Sequence, residues 1–358
     1  MRVVLVNGRF LMQRVTGVQR YGRELLAALA REAAGRYRLV AAVPRAGGVD
    51  PVAGVELLDD RSWLPTSLWQ QVRLPLIARR LGAWAVLSPA NIGPVLARNH
   101  VVVLHDASPF AHAEWFTRSF GLYYRAMFRL LGRTARRVVT VSEFSRLSLA
   151  AAGVAGEGRI TVIHQGISER FAPVAGTRFD APYVLTVGSR DPRKNVRLLI
   201  AAWRGMGEGE KRGHILLVAG GGAGAFAEEG VGDAPPDVRF LGYVPDDKLP
   251  GLYAGAAVFV YCSLYEGFGL PPLEAMACGA PTVVARAGGL PEACGEAALY
   301  VDPLDPADIG RGIARVIGDA GLREDLAARG RLRSAGFPWA EAARKMIAIL
   351  DGMEAAEG

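Results

Sequence analysis

A chain of 358 residues that is 51% hydrophobic and 22% charged has the composition of an ordinary soluble globular protein, and its length suits two domains better than one core. The apolar run before Asn7 is too short for a secretory signal, no later segment reaches the roughly 18 apolar residues of a membrane span, and Cys262, Cys278 and Cys294 lack metal-type spacing; a cytoplasmic protein with reduced, buried thiols and no structural zinc is expected. Charge is uneven: residues 1–172 carry 23 arginines, no lysine and 11 carboxylates, a balance of +12 against −5 for the rest, which suits an anionic membrane surface, nucleic acid or an acidic substrate.

In chain order, Val3 to Val6 reads as a buried strand, Asn7 to Thr16 as a loop, and Gly17 to Leu26 as the opening of a helix, the start of a Rossmann-like unit. Gly17 serves either the turn alone or close approach of a ligand to the backbone. Further strands are expected at Leu39–Val43, Ala85–Leu87, Val101–Leu104, Val138–Val141 and Ile160–Ile163, with helices between, hence a parallel, doubly wound sheet. His105 and Asp106 follow the third of these, where ligands bind in such sheets; Asn91 ends the segment after the second. Across Trp115 to Val138, Arg118, Arg125, Arg129, Arg133 and Arg136 recur on one helical face, with Phe116, Phe120, Tyr123, Met127 and Leu130 on another. That is the pattern of a helix on an anionic membrane surface, and equally of a domain-surface helix with a solvated arginine stripe. Ser142 is an N-cap candidate.

The second half repeats the alternation. Tyr183–Val187 is a strand, and the loop from Gly188 to Asn195 places Arg193 and Lys194 beside a helix start, where a bidentate guanidinium and a point charge can hold a diphosphate. His214–Ala219 is a strand followed by Gly220-Gly221-Gly222-Ala223-Gly224-Ala225, which satisfies a dinucleotide pattern but lies in the wrong context for one, with Glu228 and Glu229 following too soon. Val238–Leu241 precedes Gly242-Tyr243-Val244-Pro245. After a strand at Ala256–Tyr261 come Glu266, Gly267, Phe268, Gly269 and Leu270, then a two-turn helix started by Pro271 and Pro272 and ended by Gly279, with Glu274 expected in its first turn. Free amides at a helix start suit a phosphate, and two adjacent carboxylates suit hydroxyl groups that need acceptors. Alone, they also fit a solvated loop residue and a favourable charge near a helix N-terminus. Thr282–Ala285 forms another strand, Gly288 to Glu292 a turn, and a last helix runs from Trp339 to Leu350.

Glu266, seven intervening residues and Glu274, within Glu-Gly-Phe-Gly-Leu-Pro-Pro-Leu-Glu-Ala-Met-Ala-Cys-Gly-Ala-Pro-Thr-Val, resemble the donor-site signature of the retaining glycosyltransferases of family 4, which have the GT-B fold. The resemblance continues through Ala287 to Glu292 and covers nearly the whole chain, strongly from Tyr183 to Asp302. It implies an α/β protein of two Rossmann-like doubly wound domains facing across a cleft: residues 1–172 on the acceptor side, 173–338 binding the donor, and 339–358 as a helix returning to the first domain. It implies transfer of a sugar from a nucleotide sugar to a hydroxyl with retention. The Pro-Arg-Lys-Asn form of the phosphate loop resembles mannosyltransferases of bacterial surface polysaccharide pathways, so a GDP-activated mannose-like donor comes first and a UDP-sugar second. The acceptor would be a glycan or lipid-linked glycan, with no nucleic acid as partner; a lipid-linked acceptor would place this cytoplasmic protein at the inner face of the cell membrane.

By the same resemblance Arg193, Lys194 and the amides of Gly267 to Leu270 would stabilise the leaving diphosphate. Glu266 would hold the sugar hydroxyls, Glu274 the ribose, His105 the transferred sugar, and Gly242 and Val244 the base edge. Gly17 and Gly188 would lie near the donor, Asp106 and Asn91 near the acceptor. No Asp-x-Asp motif occurs, which suits a reaction without metal or other cofactor. An epimerase or hydrolase on the same scaffold, a non-catalytic nucleotide-sugar or membrane-binding subunit and, more distantly, a redox enzyme are the alternatives.

Overall fold

The structure is a computed structural model that describes residues 1–188, 191–221 and 234–353. Most of the glycine-rich run after Ala219, from Gly222 onward with Glu228 and Glu229, lies outside the described residues, as do Ser189, Arg190 and the last five positions. The chain divides into two compact units. The first comprises Met1–Ala111, Leu122–Gly166 and the segment from Pro338 onward; the second comprises His112–Gly121 and Ile167–Phe337.

In the first unit the strands are β1 (Arg2–Asn7), β2 (Tyr37–Val43), β3 (Glu56–Asp59), β4 (Ala85–Ser88), β5 (His100–Val103), β6 (Arg137–Thr140) and β7 (Ile160–Val162). They pair in parallel in the order β3-β2-β1-β4-β5-β6-β7. The central strands are apolar on both faces, as expected where helices cover each side; Val4, Leu5, Val101, Val102 and Val138 are fully buried. β3, Glu-Leu-Leu-Asp, is an edge strand absent from the sequence reading, because it is short and only half-buried. The expected loop Asn7–Thr16 contains a turn of 3-10 helix, Gly8–Met12.

The last helix, Trp339–Asp351, packs on the helix Gly17–Glu32 of this unit, burying Trp339, Ala342, Ala343, Met346, Ile347 and Leu350. Each large side chain so buried contributes about 1.5–3 kcal/mol before entropy is counted. Asp351 fixes the far end by accepting hydrogen bonds from the Tyr37 hydroxyl (2.6 Å) and Arg36 (2.7 Å).

The helix Arg118–Thr134 corrects the expected partition of faces. Met127, Phe128 and Leu131 point into the core, whereas Tyr123 and Leu130 are exposed, along with Leu122, on the side that also carries Arg129 and Arg133. Arg125 is tied to the Pro109 carbonyl (3.0 Å), and Arg129 lies over the Phe110 ring (5.1 Å). Arg136 is not on the helix, which ends at Thr134; it immediately precedes β6.

The second unit has β8 (Tyr183–Val187), β9 (Ile215–Ala219), β10 (Val238–Gly242), β11 (Val258–Tyr261), β12 (Thr282–Ala285) and β13 (Leu299–Val301), again all parallel, in the order β10-β9-β8-β11-β12-β13. β13, a three-residue edge strand, also escaped the sequence reading. Helices Val196–Gly205 and Pro306–Gly318 pack Trp203, Ile200, Ile309 and Ile313 against the sheet. The three cysteines are buried and unpaired in disulfides. In both units strand order reverses direction once, between β1 and β4 and between β8 and β11. The carboxyl ends at such a reversal form a crevice, and Asn91 in the first unit and Lys194 and Glu266 in the second follow the strands that flank it.

Candidate active site

In the second unit, Lys194 follows β8 and Glu266 follows β11, adjacent strands at the point of reversal. Glu266 is buried, and its Oε1 accepts from Lys194 Nζ (2.6 Å), the Tyr261 hydroxyl (2.9 Å) and Ser263 Oγ (2.5 Å). No donor among the described residues bonds its other oxygen. Burial alone would raise the carboxyl, but the charges of Lys194 and Arg193, with hydrogen bonds from Lys194 and Ser263, bring it down to about 2. Lys194 Nζ also lies 2.6 Å from the Tyr261 oxygen, and Gly188 leaves room for its stem, since a Cβ there would come 3.2 Å from Lys194 Cγ.

The loops bearing these groups are bound to each other by main-chain contacts. The Arg193 carbonyl accepts from the Leu264 amide (2.8 Å) and lies 3.0 Å from Ser263 Oγ, whose single proton goes to the nearer Glu266 Oε1. Asn195, left-handed at φ 57, donates through Nδ2 to the carbonyls of Pro303 (2.7 Å) and Cys262 (3.2 Å). Asn tolerates that conformation better than other side chains, and its amide serves two carbonyls from separate loops. The Arg193 guanidinium is mostly buried, 3.7 Å from Asp191.

Helix Leu270–Ala277 begins at Leu270, so Glu274 stands in the second turn and not the first, and its charge is too far from the N-terminus to be explained by the dipole. It is buried instead, accepting a hydrogen bond from the Tyr253 hydroxyl (3.1 Å). Pro271 and Pro272 have no N–H, so the donors at this end reduce to the amides up to Leu270. Phe268 is buried against Phe337 (5.4 Å) and can offer a ligand only its backbone. Gly267 is fixed from behind by Gly288 and Gly289, the latter donating to the Glu266 carbonyl (2.8 Å). Gly242 (φ 64) ends β10 and Val244 follows it at the sheet edge, separated by β9 from the strand that leads to Lys194. His112, on the segment that joins this unit, stacks on Trp115 (3.7 Å) and meets Tyr265 edge-on (5.3 Å), beside Glu266 in sequence.

In the first unit, His105 is buried at the carboxyl end of β5. Its Nε2 bonds the Pro89 carbonyl (2.9 Å), which can only accept, so Nε2 carries the proton and Nδ1 is an acceptor. Desolvation lowers its pKa and keeps the ring neutral. The side chain of Asn91 (φ 64) accepts from the His105 amide (2.8 Å) and Ser145 Oγ donates to the His105 carbonyl (3.0 Å), so the His105 backbone is clamped on both sides. Tyr21 stands edge-on to the ring (4.6 Å) and touches Trp339 of the last helix (5.5 Å). Asp106 accepts from the Ser108 amide (2.8 Å). Gly17 is the exposed first residue of its helix, and a Cβ there would meet nothing within 4 Å.

Asn91 also lines a recess of about 140 Å³ together with Asn7, Arg9, Gln13, Gln19 and Gln70. Asn7 donates to Gln70 Oε1 (2.8 Å) and to the Ile92 carbonyl (2.9 Å), while its own Oδ1 is buried with no partner among the described residues. Sequence reasoning passed over Asn7 and Gln70. The available signal was a polar residue directly ending a central strand, the position where Asn7 stands. Tyr253, Tyr261, Ser263 and Asn195 were missed as partners because their contacts span from 3 to 108 residues of chain in no regular period.

These buried groups set the acid stability. Burial pushes His100, bonded to Ser88 Oγ (2.9 Å), down to about 3, and lowers His105 as well. Both take up protons near their ordinary 6.5 only on unfolding, so stability is complete above that pH and declines as pH falls toward about 3. Glu266 adds a second loss from its ordinary 4.5 down to about 2. Urea unfolding should give a constant midpoint from about pH 8 to 7 and a falling one below about 6.5; a flat profile between pH 7 and 5 would contradict the neutral burial of both histidines.

Residues 169–333 match the family model described as glycosyl transferases group 1. The chain is 34% identical over 256 residues to the O-antigen chain mannosyltransferase B of Escherichia coli, an alignment covering 67% of this chain and 66% of that protein. It is 28% identical over 266 residues to the serotype-specific mannosyltransferase WbdA of Escherichia coli, covering 69% and 32% respectively. It thus spans just under two thirds of the first relative and about a third of the second. Among solved structures, the sucrose-phosphate synthase of Thermosynechococcus elongatus is similar with a TM-score of 0.76 at 21% identity over 99% of both chains. That likeness identifies the GT-B fold.

Proposed function

We propose, from the match of residues 169–333 to the glycosyl transferases group 1 and the similarity to O-antigen mannosyltransferases, that the chain transfers a mannose-like sugar from a nucleoside diphosphate donor to a hydroxyl of a glycan or lipid-linked glycan, with retention. GDP is the first choice of carrier and UDP the second. The observation that carries the reading is the Glu266–Lys194 pair, with Arg193 and the Gly267–Leu270 amides beside it.

A carboxylate held at about 2 is too weak a base to deprotonate a hydroxyl at neutral pH, so Glu266 acts as an acceptor for donor-sugar hydroxyls through its open oxygen. Lys194, Arg193 and the amides neutralise the charge that develops on the departing diphosphate, which in turn takes the acceptor proton. No divalent cation is needed in this scheme. Glu274, oriented by Tyr253, accepts from the ribose, and Gly242 and Val244 read the base edge. His105 accepts a hydrogen bond from a sugar hydroxyl through Nδ1, and the amide-lined recess at Asn7 and Asn91 takes acceptor hydroxyls. An anionic membrane surface would present a lipid-linked acceptor; Arg118, Arg129 and Arg133 with exposed Leu122, Tyr123 and Leu130 support that, and among the described residues no helix is long and apolar enough to cross a membrane.

Thermal unfolding with GDP, UDP and ADP in EDTA, followed by transfer assays with the corresponding sugars, tests the reading. One nucleotide at about 100 times its Kd should stabilise by roughly 2.7 kcal/mol, and transfer should persist in EDTA with the anomeric configuration retained. Absence of any shift, strict metal dependence or inversion would each overturn the part of the reading it concerns.

A further inference from the structure

The amino ends of the first sheet carry a second cluster of charge. Arg2 opens β1, Trp84 precedes β4, Arg98 and Asn99 precede β5, and Arg136 precedes β6. These four strands are neighbours in the order β1-β4-β5-β6 and run parallel, so the residues before them meet at the sheet edge opposite to Asn7, Asn91 and His105. They line a concavity of about 1120 Å³ in which no Asp or Glu occurs among the described lining residues. The Arg2 guanidinium lies over the Trp84 ring (4.5 Å). Trp84 Nε1 and Arg136 Nε and Nη2 are buried donors with no hydrogen-bond partner among the described residues. Leu81, Val95 and the strongly exposed Leu96 form an apolar flank.

Buried donors without acceptors are costly, and one of these is a formal charge. Two more arginines on the same wall add to it, so the group that fits must bring both negative charge and several acceptor oxygens. Guanidinium groups match phosphate in a bidentate fashion, and a Leu-Val flank accommodates an apolar portion next to it. We propose that this concavity is a binding site for a phosphate ester, held by Arg2, Arg98 and Arg136 and separate from the donor and acceptor machinery. The ester can be the headgroup of an anionic phospholipid or a soluble phosphate compound. The assignment rests on strand order and unpartnered donors and does not depend on the transferase reading.

The test uses the full chain, with vesicles of phosphatidylglycerol in phosphatidylcholine, vesicles of phosphatidylcholine alone, and inorganic pyrophosphate in solution, at low salt. Arg98→Glu changes an exposed side chain and should fold normally, and Arg136→Gln keeps bulk while removing charge. Binding to phosphatidylglycerol vesicles that falls tenfold or more in both variants supports the site with a lipid source. Pyrophosphate binding lost in both, without vesicle binding, supports it with a soluble source. The double variant Arg129→Glu/Arg133→Glu separates this site from the neighbouring helix. Vesicle binding that the helix variant abolishes and Arg98→Glu leaves intact would overturn the proposal, as would failure of wild type to bind either probe.

Discussion

Lys194→Met is expected to lower kcat by about two to three orders of magnitude and to destabilise the second unit by roughly 3–5 kcal/mol. The two effects have separate origins. Activity falls because the cation nearest the proposed diphosphate is gone. Stability falls because Glu266, buried and bonded to Lys194 at 2.6 Å, is left with neutral donors only, Tyr261 and Ser263. Adding Glu266→Gln should therefore restore most of the stability and none of the activity, since the second change removes the uncompensated charge without returning the cation. Urea unfolding and steady-state transfer on the four proteins of the cycle give both numbers. Equal stability of the single and double variants would show that the pair is not coupled, and near wild-type kcat in Lys194→Met would remove Lys194 from the mechanism.

The second large effect is expected at a residue that touches no ligand. Gly289→Ala would place a Cβ 2.5 Å from the Gly267 carbonyl oxygen and 3.0 Å from Phe268 Cα. Backbone atoms cannot rotate away as a side-chain tip would, so the 266–269 loop must shift or the Gly289 hydrogen bond to the Glu266 carbonyl must break. We expect nucleotide affinity to fall at least tenfold, about 1.4 kcal/mol, with a lowered Tm. Gly205→Ala, where a Cβ meets nothing within 4 Å, is the control for a mere change of glycine to alanine. Affinity unchanged in Gly289→Ala would mean that the loop is not the phosphate cradle.

Local signals sufficed wherever the chemistry is contiguous. Strand-length apolar runs bounded by glycine and polar loops located eleven of the thirteen strands described; the inner ones are buried on both faces and read as unbroken hydrophobic segments, and the edge strands β7 and β10 were found by their β-branched and aromatic residues. Glu-Leu-Leu-Asp and Leu-Tyr-Val, the edge strands β3 and β13, escaped because they are short and only partly buried. Loops that pair Arg193 with Lys194 and Glu266 with a helix start were legible because each motif sits within one turn of chain.

By itself the sequence determined two parallel doubly wound sheets, the loops at their carboxyl ends and the residue types available there for a sugar and a diphosphate. Only the tertiary structure decided which groups act together. Strand order put β8 beside β11, and so Lys194 against Glu266 across 72 residues; it also gathered Arg2, Arg98 and Arg136 at the other end of the first sheet. Folding moved Glu274 from a helix start into a buried hydrogen bond with Tyr253, and took Arg136 off the helical stripe. The physical reason is that hydrophobic periodicity is written in neighbouring residues, whereas charge pairing and the satisfaction of buried donors depend on which strands lie side by side.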